Sequence, residues 1–244
     1  MQRRESAAEP SPPASAEFDA HAQEYRALIN RYASASGESL EFYIEQRISL
    51  LRERCEEAGA GPPERILDFG CGIGLTEVFL HKHFPDAEIL GVDVSADSLR
   101  VAEGRGLPGV RFLIAQGDAL PVEPASCDLV YSNGTFHHIA RPEHGATMRA
   151  LRRAVRPGGH AFVFENNPFN PVMLHAMHRS PLDRNAHTLR PGYLERLVQG
   201  AGFRAEPAEF YAFFPAALRG LRRFEPRLRR VPLGAQYFVW GRAA

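Results

Sequence analysis

The sequence predicts an α/β fold in which a mostly parallel sheet carries helices on both faces. Short apolar runs alternate with helical stretches between residues 63 and 165, an alternation typical of such sheets. The runs are apolar at consecutive positions, which predicts strands that are buried on both sides. A glycine-rich turn at residues 70–74 joins the first run to a helix. Right-handed crossovers would wind these elements into a doubly wound sandwich.

Composition supports one globular domain and excludes several classes of partner. Of the 244 residues, 44% are hydrophobic and 24% charged, which suits a soluble fold with a large core. Lys plus Arg and Asp plus Glu both total 29, so we expect neither a nucleic acid nor a membrane as partner. The three cysteines, Cys55, Cys71 and Cys127, are far apart, which disfavours disulfides and structural zinc. With no apolar signal core or run of ~18 apolar residues, we expect a cytoplasmic protein.

The first 60 residues predict a tail followed by two helices. Residues 1–16 are rich in proline and alanine and are expected to be disordered. Residues 17–60 are expected to form a helical lid. Its first helix has an apolar stripe at spacings of three or four, namely Phe18, Ala22, Tyr25, Ile29 and Tyr32. The inner face of its second helix is predicted to contain Phe42, Ile44, Ile48, Leu51 and Cys55.

Residues 61–165 carry the alternating pattern itself. Strands are predicted at 66–69, 89–92, 110–114, 128–131 and 161–164, with helices at 75–83, 95–103 and 143–155. Residues 166–202 break the alternation with two predicted helices, 172–178 and 192–199, and are interpreted as a helical lid insertion. Residues 203–244 contain two further strand-like runs, 203–213 and 235–240, separated by an arginine-rich segment. They are expected to complete the sheet.

The glycine-rich turn predicts a nucleotide-type ligand that lacks a pyrophosphate. Glycines at 70, 72 and 74 let a ligand approach the backbone at the start of a helix. Leu75 occupies the last position of the dinucleotide G-x-G-x-x-G pattern, which disfavours NAD. Asp93 ends the second strand, where a carboxylate can bind ribose hydroxyls, and Asp118 follows the third, where a carboxylate can accept from an adenine amine. Together these residues describe an adenosine site.

These motifs resemble those of the class I S-adenosylmethionine-dependent methyltransferases, in particular their ubiquinone/menaquinone-biosynthesis-like small-molecule branch. The resemblance extends from about Phe18 to the C-terminus and includes a Phe-Asp-x-x-Ala-x-x-Tyr motif that ends at Tyr25. The segments that carry the rest of it are 68–74, 92–93, 117–119, 128–139 and 151–159. It implies a Rossmann-like seven-stranded sheet, mostly parallel, whose last strand is antiparallel.

The resemblance also implies roles for individual residues. Asp68 would hold the methionine ammonium directly or through water, and Tyr25 would close over the methionine part of the cofactor. Asp93 with Val94 would bind the ribose, and Asp118 with Ala119 would flank the adenine. The turn beneath the cofactor would be shaped by Gly70, Cys71, Gly72 and Gly74, and Ser132 and Asn133 would lie beside the transferring methyl group.

Three residues are candidates for chemistry at the acceptor. An activated sulfonium methyl needs a nucleophile held in line, and a hydroxyl acceptor benefits from a general base. His137 and His138 follow the fourth strand, so one of them could be that base; alternatively, one caps the helix and the other packs in the core. Glu165 ends the fifth strand at the edge where such sheets bind ligands, or else anchors the next loop.

The expected function is methyl transfer to an O, N or C atom of a small molecule, such as a specialised metabolite or a sugar. Two alternatives stay open: a cyclisation or rearrangement that uses the bound cofactor without methylation, and a non-catalytic cofactor-binding module. No metal is expected, since His175 and His178 have no third ligand at a recognisable spacing. The arginine-rich segment, 219–230, could receive an acidic substrate or carrier protein, or be a solvated surface.

Overall fold

A sheet of eight strands forms the centre of the computed structural model, which describes residues 36–115, 120–183 and 185–244. The strands are β1 (Arg65–Phe69), β2 (Glu88–Asp93), β3 (Val110–Ile114), β4 (Cys127–Asn133), β5 (Val155–Asn166), β6 (Phe203–Ala205), β7 (Glu209–Tyr211) and β8 (Gln236–Ala243). Their order is β3-β2-β1-β4-β5-β8-β6, and β7 also pairs with β8. Strands β1 to β5 are parallel, whereas β8 runs antiparallel to β5.

Helices connect the strands and cover the sheet. The α-helices are α1 (Leu40–Glu57), α2 (Leu75–His83), α3 (Ala96–Glu103), α4 (His144–Ala154), α5 (Pro171–Arg179), α6 (Pro191–Gly200) and α7 (Glu225–Leu228). Short 3₁₀ helices span Phe136–His138, Arg141–Glu143, Pro181–Asp183 and Ala216–Phe224. None of the helices in the described ranges has the combination of length and apolarity that crossing a bilayer requires.

Each face of the sheet has its own apolar core. On one face, Ile44, Ile48 and Leu51 of α1 pack with Leu80 of α2 and the aromatic side chains of β5 and β8. On the other face, α4 and α6 contribute Met148, Leu151, Leu194 and Val198. Two buried faces explain why the strands are apolar at consecutive positions, and they confirm the predicted doubly wound α/β fold.

The C-terminal part of the sheet differs from the prediction in its strand count. The predicted strand 203–213 is two short strands, because Pro207 lacks an amide hydrogen and the N–H of Ala208 donates to Glu195 Oε1 at 2.7 Å instead of to a strand. β6 pairs with Gly241–Ala243 and β7 with Gln236–Phe238, so both lie along the same side of β8. The sheet therefore has seven positions, and the predicted antiparallel closing strand is β8.

Some predicted segments lie outside the described residues or in an unexpected layer. The tail 1–16, the first predicted helix with Tyr25, and the pair Asp118 and Ala119 are not among the described residues. Helix α1 and helix α6 pack directly on the two faces of the sheet. A lid role stays a prediction for the remaining parts of residues 17–60 and 166–202.

Candidate cofactor and acceptor site

The glycine-rich turn lies at the centre of the carboxyl edge of the sheet, between β1 and α2. β1 has β2 on one side and β4 on the other, which is the position where open α/β sheets bind ligands. Gly70 and Gly72 have positive φ angles of 80° and 53°. A Cβ on Gly70 would lie 2.1 Å from Thr135 Oγ1, whereas one on Gly72 would meet nothing within 4 Å. The turn is thus packed beneath Gly70 and open at Gly72, which leaves room for a ligand.

Asp93 fastens this turn to the end of β2. Its Oδ2 accepts from the N–H of Gly72 at 2.8 Å, and its Oδ1 accepts from the N–H of Ser95 at 2.9 Å. Val94 follows it and is 42% exposed, at the mouth of the site. Both residues therefore stand beside the open turn, where the sequence prediction requires a ribose-binding carboxylate.

Asp68 is the last residue but one of β1, just before the turn, and is almost fully buried, at 2% exposure. Among the described residues, nothing donates a hydrogen bond to its Oδ2. Burial raises the pKa of Asp68 well above its usual range, and the negative charges of Glu77 and Asp93 raise it further. A buried carboxylate in this condition is stabilised by a cationic ligand.

Glu77 is a third carboxylate at the turn, and sequence analysis does not single it out. It lies in the first turn of α2, is fully buried, and neither of its carboxylate oxygens has a hydrogen-bond partner within the described ranges. Its Oε1 would be 2.7 Å from a Cβ on Gly91, so the glycine in β2 makes room for it. Burial is the main reason that the pKa of Glu77 rises to about 8. Its three-residue spacing from Leu80, which is buried on the same helix, is the signal that could have placed it inside.

We expect Glu77→Gln to flatten the pH dependence of stability. The carboxyl group holds its proton up to about pH 8 in the folded chain, but only to about 4.5 when unfolded. Between these values the folded state binds more protons, so the free energy of unfolding falls as pH rises. The amide cannot ionise, so the variant should melt higher than the parent at pH 8.5 and lose less stability from pH 5. Thermal unfolding at both values tests this, with the exposed Glu103→Gln as control; parallel curves for Glu77→Gln and the parent would contradict it.

Arg47 brings a buried positive charge from α1 to this part of the site. It is 4% exposed, and its guanidinium donates to Tyr131 Oη at 3.1 Å and to Gln236 Oε1 at 3.4 Å. Tyr131 pairs with Asp68 across β1 and β4, and the charge of Arg47 lowers the pKa of Asp68 in opposition to burial. Arg47 therefore offsets part of the negative charge without forming a close ion pair with it.

The end of β4 supplies the next predicted residues. Ser132 is fully buried, and its Oγ has no hydrogen-bond partner among the described residues. Asn133 ends the strand, and its carbonyl accepts from Thr135 Oγ1 at 3.3 Å, as does the carbonyl of Phe69 at 3.2 Å. Thr135 thereby ties the ends of β1 and β4 together.

Cys71 is a buried free thiol whose pKa is raised by burial, which makes it unreactive.

The three acceptor-side candidates form one cluster beyond β4 and β5. Glu165 Oε2 lies 2.5 Å from His137 Nδ1, and Glu165 Oε1 accepts from the N–H of Phe136 at 3.0 Å. The rings of His137 and His138 have centroids 4.3 Å apart. The structure thus joins the base candidates and Glu165, and it also gives Glu165 the anchoring contact of the alternative interpretation.

Asp183 completes this cluster, and sequence analysis does not find it. It ends the 3₁₀ helix Pro181–Asp183, and its Oδ1 lies 3.5 Å from His137 Nε2 and 3.8 Å from His138 Nε2. The N–H of His187 donates to the carbonyl of His137 at 2.8 Å, which holds the returning chain against the same loop. The two histidines lie about 45 residues before Asp183 in the chain. Asp183 comes near them only because the insertion folds back over the loop after β4.

The two histidines have opposite electrostatic surroundings. Burial opposes a charge on His137, but the carboxylates of Glu165 and Asp183 outweigh it and raise the pKa of His137 to about 10. Burial and then the neighbouring charge of His137 lower the pKa of His138 to about 3. Two adjacent imidazoles that share one carboxylate therefore do not both carry a positive charge.

The described residues fit S-adenosylmethionine as the bound group. This cofactor carries an ammonium and a sulfonium, and the carboxyl groups of Asp68, Glu77 and Asp93 lie at one end of the turn, where a bound cation would favour their ionised forms. Two of them have buried oxygens that lack a hydrogen-bond partner in the described part of the chain. Gly72 leaves open space above the backbone at the same place.

Comparisons with known proteins support the same assignment. Residues 66–159 match the family model described as "Methyltransferase domain". The chain is 35% identical to a trans-aconitate 2-methyltransferase of Rhodopseudomonas palustris over 52% of its own length and 48% of that protein. It is 31% identical to a ubiquinone/menaquinone biosynthesis C-methyltransferase of Syntrophotalea carbinolica, over 64% and 62% of the two chains. The chain spans about half the length of the curated relatives it matches.

The fold is shared with solved structures across nearly the whole chain. The crystal structure of the (4+2)-cyclase SpnF superposes with a TM-score of 0.66 and 16% identity, covering 97% of this chain and 99% of that one. Identity this low shows the fold alone. Residues 66–159 thus resemble a methyltransferase domain, and curated proteins similar to the chain are named as methyltransferases.

Proposed function

We propose that this chain moves the methyl group of S-adenosylmethionine to an O, N or C atom of a small molecule, a specialised metabolite or a sugar. The observation that carries the proposal is the set of carboxyl groups at an open glycine turn: Asp68 and Glu77, which are buried, and Asp93, which is partly buried. Burial disfavours the ionised forms of Asp68 and Glu77, and a cationic cofactor would offset that cost. Trans-aconitate and ubiquinone/menaquinone-pathway enzymes among the relatives support a small acceptor.

In this proposal each residue of the site contacts a defined part of the cofactor or of its methyl group. Asp68 would hold the ammonium, Asp93 with Val94 the ribose, and Asp118 with Ala119 the adenine. Tyr25 would close over the methionine part, and Ser132 with Asn133 would lie beside the methyl group. The turn residues Gly70, Cys71, Gly72 and Gly74 would support the cofactor from below.

The cluster of His137, His138 and Glu165 would face the acceptor. It lies beyond β4 and β5, at the same carboxyl edge as the glycine turn, so a substrate between them would touch both. The bound cofactor supplies an activated methyl group. The chain's own contribution would be to hold the acceptor atom in line with that methyl group at about 3 Å and to keep water away.

The proposal predicts a defined change in acceptor mass. Incubation of the full chain with S-adenosylmethionine and a panel of hydroxy, amino and carboxylic acid compounds should give a product heavier by ~14 Da, since CH₂ is added when methyl replaces hydrogen. Product and S-adenosylhomocysteine should appear in equal amounts by mass spectrometry. Consumption of an acceptor without this mass gain would contradict methyl transfer.

A non-methylating reaction is the second candidate, because a protein named as a cyclase has the same fold over nearly its whole length. In that case the cofactor would stay bound and unconsumed while an acceptor rearranges at constant mass. A non-catalytic cofactor-binding module is the third candidate, in which binding occurs but no compound changes. The mass measurement above separates all three.

We also propose that the arginine-rich segment could receive an acidic carrier protein or substrate. Its segment Ala216–Phe224, which is kinked at Leu218, exposes Leu218, Leu221 and Phe224 beside the arginine side chains. Arg222 and Arg229 already pair with Glu38 and Glu53 of the N-terminal part, which supports the alternative of a surface held by internal contacts. Loss of an acidic partner at 0.5 M salt would support the carrier; salt-independent binding would contradict it.

A cytoplasmic location is the last part of the proposal. It is supported by Cys55, Cys71 and Cys127, which are free thiols. Fractionation of the source cells tests this location. Recovery of the protein from a compartment other than the cytoplasm would contradict it.

A further inference from the structure

Three side chains from two separate parts of the chain bring their ligand atoms together at the acceptor side of the site. His137 and His138 come from the loop after β4, and Asp183 comes from the 3₁₀ helix Pro181–Asp183. One ligand atom from each lies within 4.8 Å of the other two. The distances from Asp183 Oδ1 are 3.5 Å to His137 Nε2 and 3.8 Å to His138 Nε2. Ligand atoms about 2.1 Å from one ion are separated by roughly 3.0 to 3.5 Å in octahedral or tetrahedral geometry.

Glu165 contacts the ring nitrogen of His137 that faces away from Asp183, as carboxylates often do for metal-binding histidines. Its Oε2 is 2.5 Å from His137 Nδ1, so the Nδ1–H is held by Glu165 and Nε2 is turned toward Asp183. Glu165 is itself fixed by the N–H of Phe136 at 3.0 Å. A carboxylate on the outer nitrogen orients the ring and increases its basicity as a ligand.

The cluster is partly exposed to solvent, so an ion can reach it. The side chain of His137 is 3% exposed, whereas those of His138 and Asp183 are 15% and 17% exposed. The inner ligand is therefore preorganised by burial, and the two outer ligands face the opening. An ion bound there would also fasten the insertion that carries Asp183 to the loop after β4.

We propose that His137, His138 and Asp183 form a site for one divalent transition metal ion, with Glu165 as the positioning residue of His137. Two imidazoles and one carboxylate suit Zn²⁺, Mn²⁺ or Fe²⁺, whereas Mg²⁺ and Ca²⁺ prefer oxygen ligands alone. Three protein ligands leave coordination positions for an acceptor, so the site favours small molecules that present a hydroxyl or carboxylate oxygen. Only this last step rests on the proposed methyltransferase function.

The test is metal binding to the full chain after treatment with a chelator. Titration with ZnCl₂ or MnCl₂, followed by calorimetry, should give one equivalent with a Kd in the micromolar range or below, while MgCl₂ should bind at least tenfold more weakly. Substitution of Co²⁺ should give visible absorption of a bound ion. His138→Gln and Asp183→Asn should each weaken Zn²⁺ binding at least tenfold, and Glu165→Gln by roughly tenfold to 100-fold.

Two controls make the result specific to this cluster. The double variant His175→Gln with His178→Gln removes two exposed histidines of α5 and should keep the stoichiometry and the affinity. S-adenosylmethionine binding, measured in the same variants, reports both on folding and on the proposed function. If Glu165→Gln does not fold, the partly exposed His138 still provides the decisive variant. Absence of stoichiometric binding, or equal binding by the parent and His138→Gln, would overturn the site and leave an ion-pair network that joins the insertion to the sheet.

Discussion

Asp93→Ala is expected to weaken binding of S-adenosylmethionine by about 100-fold, which corresponds to roughly 3 kcal/mol. The substitution removes a carboxylate proposed to accept from two ribose hydroxyls. It also releases the N–H groups of Gly72 and Ser95, which Asp93 holds at 2.8 and 2.9 Å. Both the contact and the shape of the turn are therefore lost, and calorimetric titration of parent and variant measures the change.

Asp97→Ala is the matched control for this result. Asp97 lies four residues further along, in the first turn of α3, and pairs with Arg100 on the surface. It removes the same charge from the same part of the chain but leaves the hydrogen bonds from Asp93 to Gly72 and Ser95 in place, so affinity should stay within about twofold. Equal affinity of the parent and Asp93→Ala, with Asp93→Ala shown to be folded by its melting curve, would remove the adenosine site from this edge of the sheet.

Asp68→Asn is expected to lower cofactor affinity while leaving the stability of the ligand-free protein unchanged or higher. The amide resembles the protonated carboxyl group that burial favours at this position, so the folded state loses little. The ammonium of the cofactor, however, loses its anionic partner. We expect roughly tenfold to 100-fold weaker binding of both S-adenosylmethionine and S-adenosylhomocysteine, since both carry that ammonium.

The pH dependence of binding gives an independent check on Asp68. The raised pKa keeps a proton on the free protein, and that proton must leave before the ammonium can pair with the carboxylate. Affinity of the parent should therefore increase with pH as long as the cofactor ammonium keeps its own proton, and the increase should be smaller in Asp68→Asn. Asp128→Asn makes the same change at the opposite edge of the sheet, where Asp128 accepts from the N–H groups of Glu64 and Arg65, and should keep the dependence. Identical pH profiles for the parent and Asp68→Asn would contradict the role of Asp68.

The sequence was sufficient to predict the strands and the turn because their signals are local. The run of β3 was predicted with the observed bounds, and β1 and β2 within a residue or so of theirs. The glycines and the two strand-end carboxylates Asp68 and Asp93 fall together because parallel strands end at one edge. Pro207, which divides the predicted strand 203–213, is also a local signal, and its missing donor explains the difference from the prediction.

The remaining site residues depend on contacts between distant segments. Glu77 looks like a solvent-facing glutamate at the start of a helix until Gly91 is seen to leave space for it under the turn. Arg47 lies in a helix whose face is otherwise apolar, and only the packing of α1 on β4 brings it to Tyr131. Asp183 reaches the histidines only after the insertion folds back. No spacing in the sequence predicts these contacts, because each depends on how two elements pack against each other.

The most direct test of the central claim is calorimetric titration of the purified full chain with S-adenosylmethionine and S-adenosylhomocysteine, with NAD as the control ligand. The carboxylate group at the open turn predicts one equivalent of each of the first two, with micromolar dissociation constants, about −8 kcal/mol. NAD should give no heat of binding, because the turn is not followed by the third glycine of a dinucleotide site. Binding of NAD, or no binding of either methionine cofactor, would contradict the account.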